Sequence, residues 1–187
     1  MGKCLIVGGT GMLAHAVRSL NAQGHHTTVI ARDTDKLNSL RSACPYPDRF
    51  NGISLDYEDY DLLKQRVKNE QLDQDGYDLV IAWIQSNESH ALQTILNELV
   101  AAPVRIFHVL GSRSDLSAVQ SSLKLSHNHT YHQVQLGFVI ENDSSRWHTN
   151  EEISDGVLKA IESGDEDEVT LVGTLEPRDM NPWLKTK

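Results

Sequence analysis

The chain is expected to fold as a doubly wound α/β domain. About seven strands form a parallel sheet in the order 3-2-1-4-5-6-7, and a single domain covers residues 1–187 with 176–187 as a C-terminal tail. Three observations predict this. Apolar runs of strand length recur along the chain, each followed by a stretch with helical spacing. The runs are apolar on successive residues, as strands covered by helices on both faces must be. The first run also opens straight into glycines and then a helix, the sharp strand-to-helix turn of a β-α-β unit. Crossovers in such a sheet are right-handed, and ligands bind beyond the carboxyl ends of the strands where their order reverses.

The elements follow in order. KCLIVGG (3–9) is a buried strand, and MLAHAVRSLNAQG (12–24) is a helix closed by Gly24. TTVIAR (27–32) is the second strand, with DTDKLNSLRSAC as its helix. GISLD (52–56) is the third, followed by YEDYDLLKQRVKNEQL, which sets Leu62, Leu63 and Val67 on one side. YDLVIAWI (77–84) is the fourth, and NESHALQTILNELVAA places Leu92, Ile95, Leu96 and Leu99 at helical spacing. VRIFHVLG (104–111) is the fifth, with a short helix over SDLSAVQSSLKL beginning at the cap-like Ser114. TYHQVQLGFVI (130–140) alternates polar and apolar residues with period two, so it reads as a half-buried sixth strand. Thr149 with Glu152 three residues on forms a capping box opening NEEISDGVLKAIES. EVTLVGTL (168–175) is the last strand.

Composition bounds the function. With 39% apolar and 23% charged residues the chain is an ordinary globular protein. Its formal charge of −9 argues against a nucleic-acid partner, since phosphate binding needs a basic surface. The acidic runs EDYD (58–61) and GDEDE (164–168) read as solvated surface. The longest apolar run, LVIAWI at 79–84, is far too short to cross a bilayer, and the N-terminus carries no secretory apolar region, so no membrane association is expected. Cys4 and Cys44 have unrelated settings and read as reduced structural thiols in a cytoplasmic protein.

The glycine loop carries the chemistry. Gly8-Gly9-Thr10-Gly11-Met12-Leu13-Ala14 contains G-x-G-x-x-A counted from Gly9, a dinucleotide fingerprint. On this reading Gly9 allows the tight turn, Gly11 lets a pyrophosphate approach the backbone, and Ala14 lets the helix pack on the strand. The helix N-terminus presents N–H groups and the positive end of its dipole to the phosphates. Arg32, at the end of the second strand and 21 residues beyond Gly11, suits a 2′-phosphate through its planar guanidinium. NADP(H) is therefore the expected cofactor. NAD remains the alternative, with Arg32 solvated and Asp33 on the ribose hydroxyls.

These residues resemble the short-chain dehydrogenase/reductase superfamily, a Rossmann-like family, and especially its small atypical members with a GGTG-type loop. The likeness covers nearly the whole chain, though only the loop is a specific match. It implies that Asp56, before Tyr57, accepts a hydrogen bond from the adenine amino group; Asp56 also reads as a helix cap. It places Ala82-Trp83-Ile84 along the cofactor, although a tryptophan in an apolar run is more often core. Gln85, Ser86 and Asn87 follow at the cleft, with Asn87 equally a cap. The likeness puts Ser112 at the family's serine position and aligns Leu136-Gly137 with the Pro-Gly pair that meets the nicotinamide carboxamide.

The family's proton donor is a tyrosine with a lysine four residues on, and here the resemblance fails. Tyr131 is the only tyrosine after Ser112, and Gln135 stands where the lysine would be. A glutamine carries no charge to lower a phenol's pKa. The period-two pattern and the 18 residues of 112–129 leave room for one short helix and no Tyr/Lys pair. Tyr131 thus reads as a strand-start residue, and His148 is the candidate substitute acid. His127, His129 and His132 form H-x-H-x-x-H in a polar loop, with no cysteine or carboxylate to complete a metal site, and His108 reads as a buried strand histidine. The expected function is an atypical NADP(H)-dependent reductase acting on a small molecule, with a non-catalytic NAD(P)(H) sensor as the alternative. A homodimer stays open.

Overall fold

The computed structural model describes residues 2–73, 76–84, 88–99, 101–164 and 168–185. Its strands are β1 (Lys3–Val7), β2 (His26–Ala31), β3 (Phe50–Ser54), β4 (Leu79–Trp83), β5 (Val104–Leu110), β6 (His129–Leu136), β7 (Phe138–Glu141), β8 (Ser144–Trp147) and β9 (Val169–Val172). The helices are α1 (Ala14–Ala22), α2 (Thr34–Ala43), α3 (Tyr60–Asp73), α4 (Glu88–Glu98), α5 (Leu116–Ser122) and α6 (Asn150–Glu162). Seven strands form one sheet in the order β3-β2-β1-β4-β5-β6-β9, with every pairing parallel. The expected order holds, with β9 as its seventh strand. The direction of growth reverses between β1 and β4, which sets the switch point there.

Alternation along each strand divides the core between two faces. Ile6, Val29, Ile81, Phe107 and Val134 pack with Leu13 and Val17 of α1 and its approach, and with Ile153 and Val157 of α6. Leu5, Ile30, Val80 and Ile106 pack with Leu63 of α3 and with Leu92, Ile95 and Leu96 of α4. Burial of these aliphatic side chains, at about 25 cal/mol per Å² of apolar surface, is what holds helices to sheet. No helix among the described residues is long and apolar enough to cross a membrane.

Four local expectations are corrected. The sixth strand does not run to residue 140: it ends at Leu136, Gly137 breaks it, and Phe138–Glu141 pairs antiparallel with Ser144–Trp147 as a separate hairpin. The turn residues Asn142 and Asp143 have φ of 48° and 59°, the two-residue turn whose twist suits a hairpin. Nor is β6 half-buried, because residues 131–136 are buried throughout. Its glutamine face lies under the start of α5, where Gln133 Nε2 donates to the Leu116 carbonyl at 2.9 Å and Gln135 Nε2 to that of Ser114 at 3.3 Å.

Helix α5 is capped by Asp115, which accepts from Ala118 N at 3.0 Å, and not by Ser114. Asp59 rather than Asp56 caps α3, accepting from Leu62 N at 3.1 Å. The capping box at Thr149 and Glu152 forms as expected. Within the C-terminal segment, Arg178–Met180 and Pro182–Lys185 form 3-10 turns, and the second lies against β8.

Candidate functional site

The glycine loop leaves β1 at the switch point, and three glycines there do three different things. Gly8 has φ +77°, and a Cβ on it would sit 2.5 Å from the Trp83 carbonyl oxygen, so it makes the sharp turn. The turn role expected of Gly9 therefore belongs to Gly8. A Cβ on Gly9 would lie 2.8 Å from Val29 Cγ1 and 3.2 Å from Val17 Cγ2, so Gly9 adds close strand-helix packing to that of Ala14, which lies against the same core as expected. Gly11 is different, because a Cβ there would meet nothing within 4 Å. Neither local packing nor backbone strain demands glycine at that point.

Helix α1 starts directly after this loop with no side-chain cap at Leu13. Thr10 and Met12 belong to the same turn, while Leu13 is buried. The loop is fixed from outside: buried Ser154 of α6 donates to the Met12 carbonyl at 2.7 Å.

The ends of β2 and β3 stand next to one another. Ser54 Oγ donates to the Arg32 carbonyl at 3.1 Å, and Thr34 Oγ1 to Ser54 Oγ at 2.9 Å. Arg32 projects outward with 71% of its side chain exposed, 3.9 Å from Asp56 Oδ2. Asp33 is used locally: it caps α2 by accepting from Lys36 N at 3.0 Å and pairs with Lys36 Nζ at 3.9 Å. Asp56 accepts from Glu58 N at 3.1 Å, which shapes the turn into α3. Tyr57 packs partly against the core on the α3 and α4 side.

A cleft of about 710 Å³ opens beyond the carboxyl ends of β1, β4, β5 and β6, where ligands bind in open α/β sheets. Met12 of the glycine loop, Trp83, Ser112, Gly137 and His148 all line it. Five residues singled out in the sequence are thus brought together from five separate segments. Ala82 and Ile84 are not among them, since both side chains are buried in the core on the α4 side. Trp83 serves both readings, packing partly against the core cluster on the α1 side and lining the cleft. Gln85, Ser86 and Asn87 lie outside the described residues.

Gly137 is where it is for a backbone reason. A Cβ there would collide with the Thr174 backbone, whose carbonyl oxygen also accepts from Phe138 N at 2.8 Å. His148 is nearly buried, with Nε2 3.2 Å from the Val172 carbonyl oxygen and Nδ1 3.8 Å from Glu152 Oε2. With Nε2–H donated to the backbone, the neutral ring keeps Nδ1 as its unprotonated nitrogen.

Tyr131 is elsewhere. It is buried under α4 and α5, with its hydroxyl 2.9 Å from His108 Nδ1 and Gln133 Nε2 donating to it at 3.4 Å. Burial pushes the His108 pKa down to about 4. The H-x-H-x-x-H run is dispersed: His129 Nε2 lies 2.8 Å from the Leu99 carbonyl oxygen, whereas buried His132 stacks on Phe107 at 4.7 Å. Among the described residues no group of His, Cys, Asp and Glu is placed to hold a metal ion.

Sequence reasoning missed one wall of the cleft, formed by Arg113, Trp147, Asn150, Ile153 and Trp183. Trp147 arrives on the hairpin and Trp183 on the folded-back C-terminal turn. The available signal was the Asn-Asp turn pair between two β-type runs.

No protein-family model matches the chain, and no curated protein matches it. Solved structures do match over nearly its whole length. An actinorhodin polyketide ketoreductase solved with NADPH superposes with a TM-score of 0.69 at 13% identity, covering 93% of this chain and 96% of that one. A Serratia marcescens short-chain dehydrogenase/reductase double mutant gives 0.66 at 17% identity, covering 91% and 95%. A short-chain dehydrogenase/reductase from Brucella melitensis gives 0.68 at 11% identity, covering 91% and 94%. At these identities the likeness establishes the fold, a Rossmann-like α/β domain.

Proposed function

We propose that this chain is an NADP(H)-binding reductase of atypical short-chain dehydrogenase/reductase type, working without the Tyr/Lys proton donor. One observation carries the reading: Gly11 is glycine where the protein itself needs none, on the loop that feeds the uncapped end of α1. A missing Cβ facing open space is what close approach of a pyrophosphate requires. Solved neighbours of the same fold support it, one of them with NADPH.

In this reading residues 8–13 cradle the pyrophosphate and Arg32 pairs with the 2′-phosphate, for which its exposed guanidinium needs only to leave a 3.9 Å contact with Asp56. Asp56 and Tyr57 border the adenine. Trp83, Ser112 and Gly137 face the nicotinamide end of the cleft. The cofactor supplies the hydride. The protein binds the dinucleotide, holds an acceptor beside it and narrows the approach of water. Tyr131 has no part in proton transfer, because its hydroxyl is spent on His108 inside the core. Ser112 stays available to orient an acceptor, and His148 lines the same cleft as the candidate substitute acid, with its ring oriented by the Val172 carbonyl.

The rival is a sensor whose conformation reports the NADPH/NADP⁺ ratio to a partner. Turnover separates the two: a reductase oxidises NADPH with a flavin, quinone or dicarbonyl acceptor, and loses this when Gly11 is replaced by Glu. Binding of NADPH with no oxidation by any of these acceptors would favour the sensor.

A further inference from the structure

The chain has three tryptophans, Trp83, Trp147 and Trp183, and all three line the same cleft. Two of them are not core residues: Trp147 is 40% exposed and Trp183 54%. Large aromatic surface left open in this way marks a site that takes a ligand. The two indoles meet at 71° with centroids 6.4 Å apart, forming a corner. A flat ring seated in it stacks on one indole and meets the edge of the other, both favoured by the ring quadrupoles.

Beside the corner lies a cation. The Arg113 guanidinium stands 4.8 Å over the Trp183 ring. Among the described residues no carboxylate pairs with it. Asp115, nearby on the cleft wall, has its carboxylate engaged in capping α5. Stacking on an indole holds a guanidinium in place and leaves its in-plane N–H donors to an anion. In a chain of net charge −9, an anionic ligand is repelled at long range, so a local cation at the mouth decides whether one is admitted. The rest of the lining includes Met12, Val119 and Leu136, which are apolar and suit the remaining edge of a ring.

The geometry points to a substrate subsite for a planar aromatic ring system bearing an anionic group, with Trp147 and Trp183 holding the ring and Arg113 the anion. This deepens the reductase reading, on which its role as an acceptor site rests. The subsite itself depends only on the cleft.

The test uses the whole protein without nucleotide and two probes that share a ring system, flavin mononucleotide with its phosphate and riboflavin without it, followed by fluorescence anisotropy. Flavin mononucleotide should bind more tightly than riboflavin. Arg113→Ala should weaken flavin mononucleotide about tenfold and leave riboflavin unchanged, whereas Trp183→Leu should weaken both. Unfolding midpoints of both variants, with the side chains at the surface, check that the fold is kept; if Trp183→Leu lowers the midpoint, Trp183→Phe, which keeps a ring, should restore both. Equal effects of Arg113→Ala on the two probes, or undiminished binding in Trp183→Leu, would overturn the assignment. Titrating NADPH separately keeps the readings apart: loss of nucleotide binding with the ring site intact defeats the reductase, and the reverse defeats the subsite.

Discussion

The Tyr131 hydroxyl lies 2.9 Å from His108 Nδ1, across neighbouring strands β6 and β5 and beneath helices α4 and α5. That contact makes Tyr131 part of the packing between sheet and helices. Tyr131→Phe should cost about 1–3 kcal/mol in chemical unfolding, because it leaves a buried ring nitrogen without its partner. NADPH affinity should stay at the wild-type value. A variant of normal stability that no longer turns over would instead make Tyr131 a catalytic group.

The same histidine gives the fold a pH dependence. Burial depresses the His108 pKa from 6.5 to about 4, so below pH 6.5 the unfolded chain binds a proton that the folded chain refuses. This contribution is complete above pH 6.5 and is lost as pH falls toward 4. It amounts to on the order of 3 kcal/mol. Urea unfolding midpoints of the wild type should fall over that window, and His108→Phe should flatten that part of the profile.

Two glycines should respond in opposite ways to alanine. Gly137→Ala drives a methyl into the Thr174 backbone and should destabilise by about 1–3 kcal/mol, since neither β6 nor the chain after β9 can give way cheaply. Gly11→Ala adds a methyl to open space and should change stability by less than about 1 kcal/mol, while weakening NADPH at least tenfold. Comparing unfolding and nucleotide titrations of the two variants checks both halves.

The hairpin that carries Trp147 is tied down by one side chain. Arg146 meets Glu141 on the opposite strand at 2.6 Å and Glu152 of the α6 capping box at 2.8 Å. Hydrogen bonds from Arg146 hold the Glu152 carboxyl down at about 2. Arg146→Ala should speed amide exchange in residues 138–147 and leave the amides of β1 and β4 protected. Uniform loss of protection across the sheet would mean the hairpin is integral to the global fold.

Much of the sheet was legible because runs such as CLIV and LVIAWI are unbroken apolar stretches bounded by turn signals. Strand order followed from the glycine loop's likeness to a dinucleotide-binding fold, whose usual order is 3-2-1-4-5-6. The hairpin was not legible, because Phe138 and Ile140 continue the period-two pattern of β6 without a gap. Only the closeness of Thr174, a contact 37 residues away in sequence, forces the break at Gly137. The burial of Gln133 and Gln135 was hidden for a similar reason, since their partners are backbone carbonyls at the start of α5. In the glycine loop, local spacing identified the loop but not which glycine turns the chain. That depends on the Trp83 carbonyl in β4, a strand far away in sequence.

The central claim is that the glycine loop and Arg32 bind a dinucleotide carrying a 2′-phosphate. Thermal unfolding with equal concentrations of NADPH, NADP⁺, NADH and NAD⁺, repeated on Arg32→Ala, tests it directly. Ligand at a hundred times its Kd adds about 2.7 kcal/mol to the native state. The account predicts larger rises in the midpoint with NADPH and NADP⁺ than with NADH and NAD⁺, and loss of that difference in Arg32→Ala. Unchanged midpoints with all four nucleotides would contradict it.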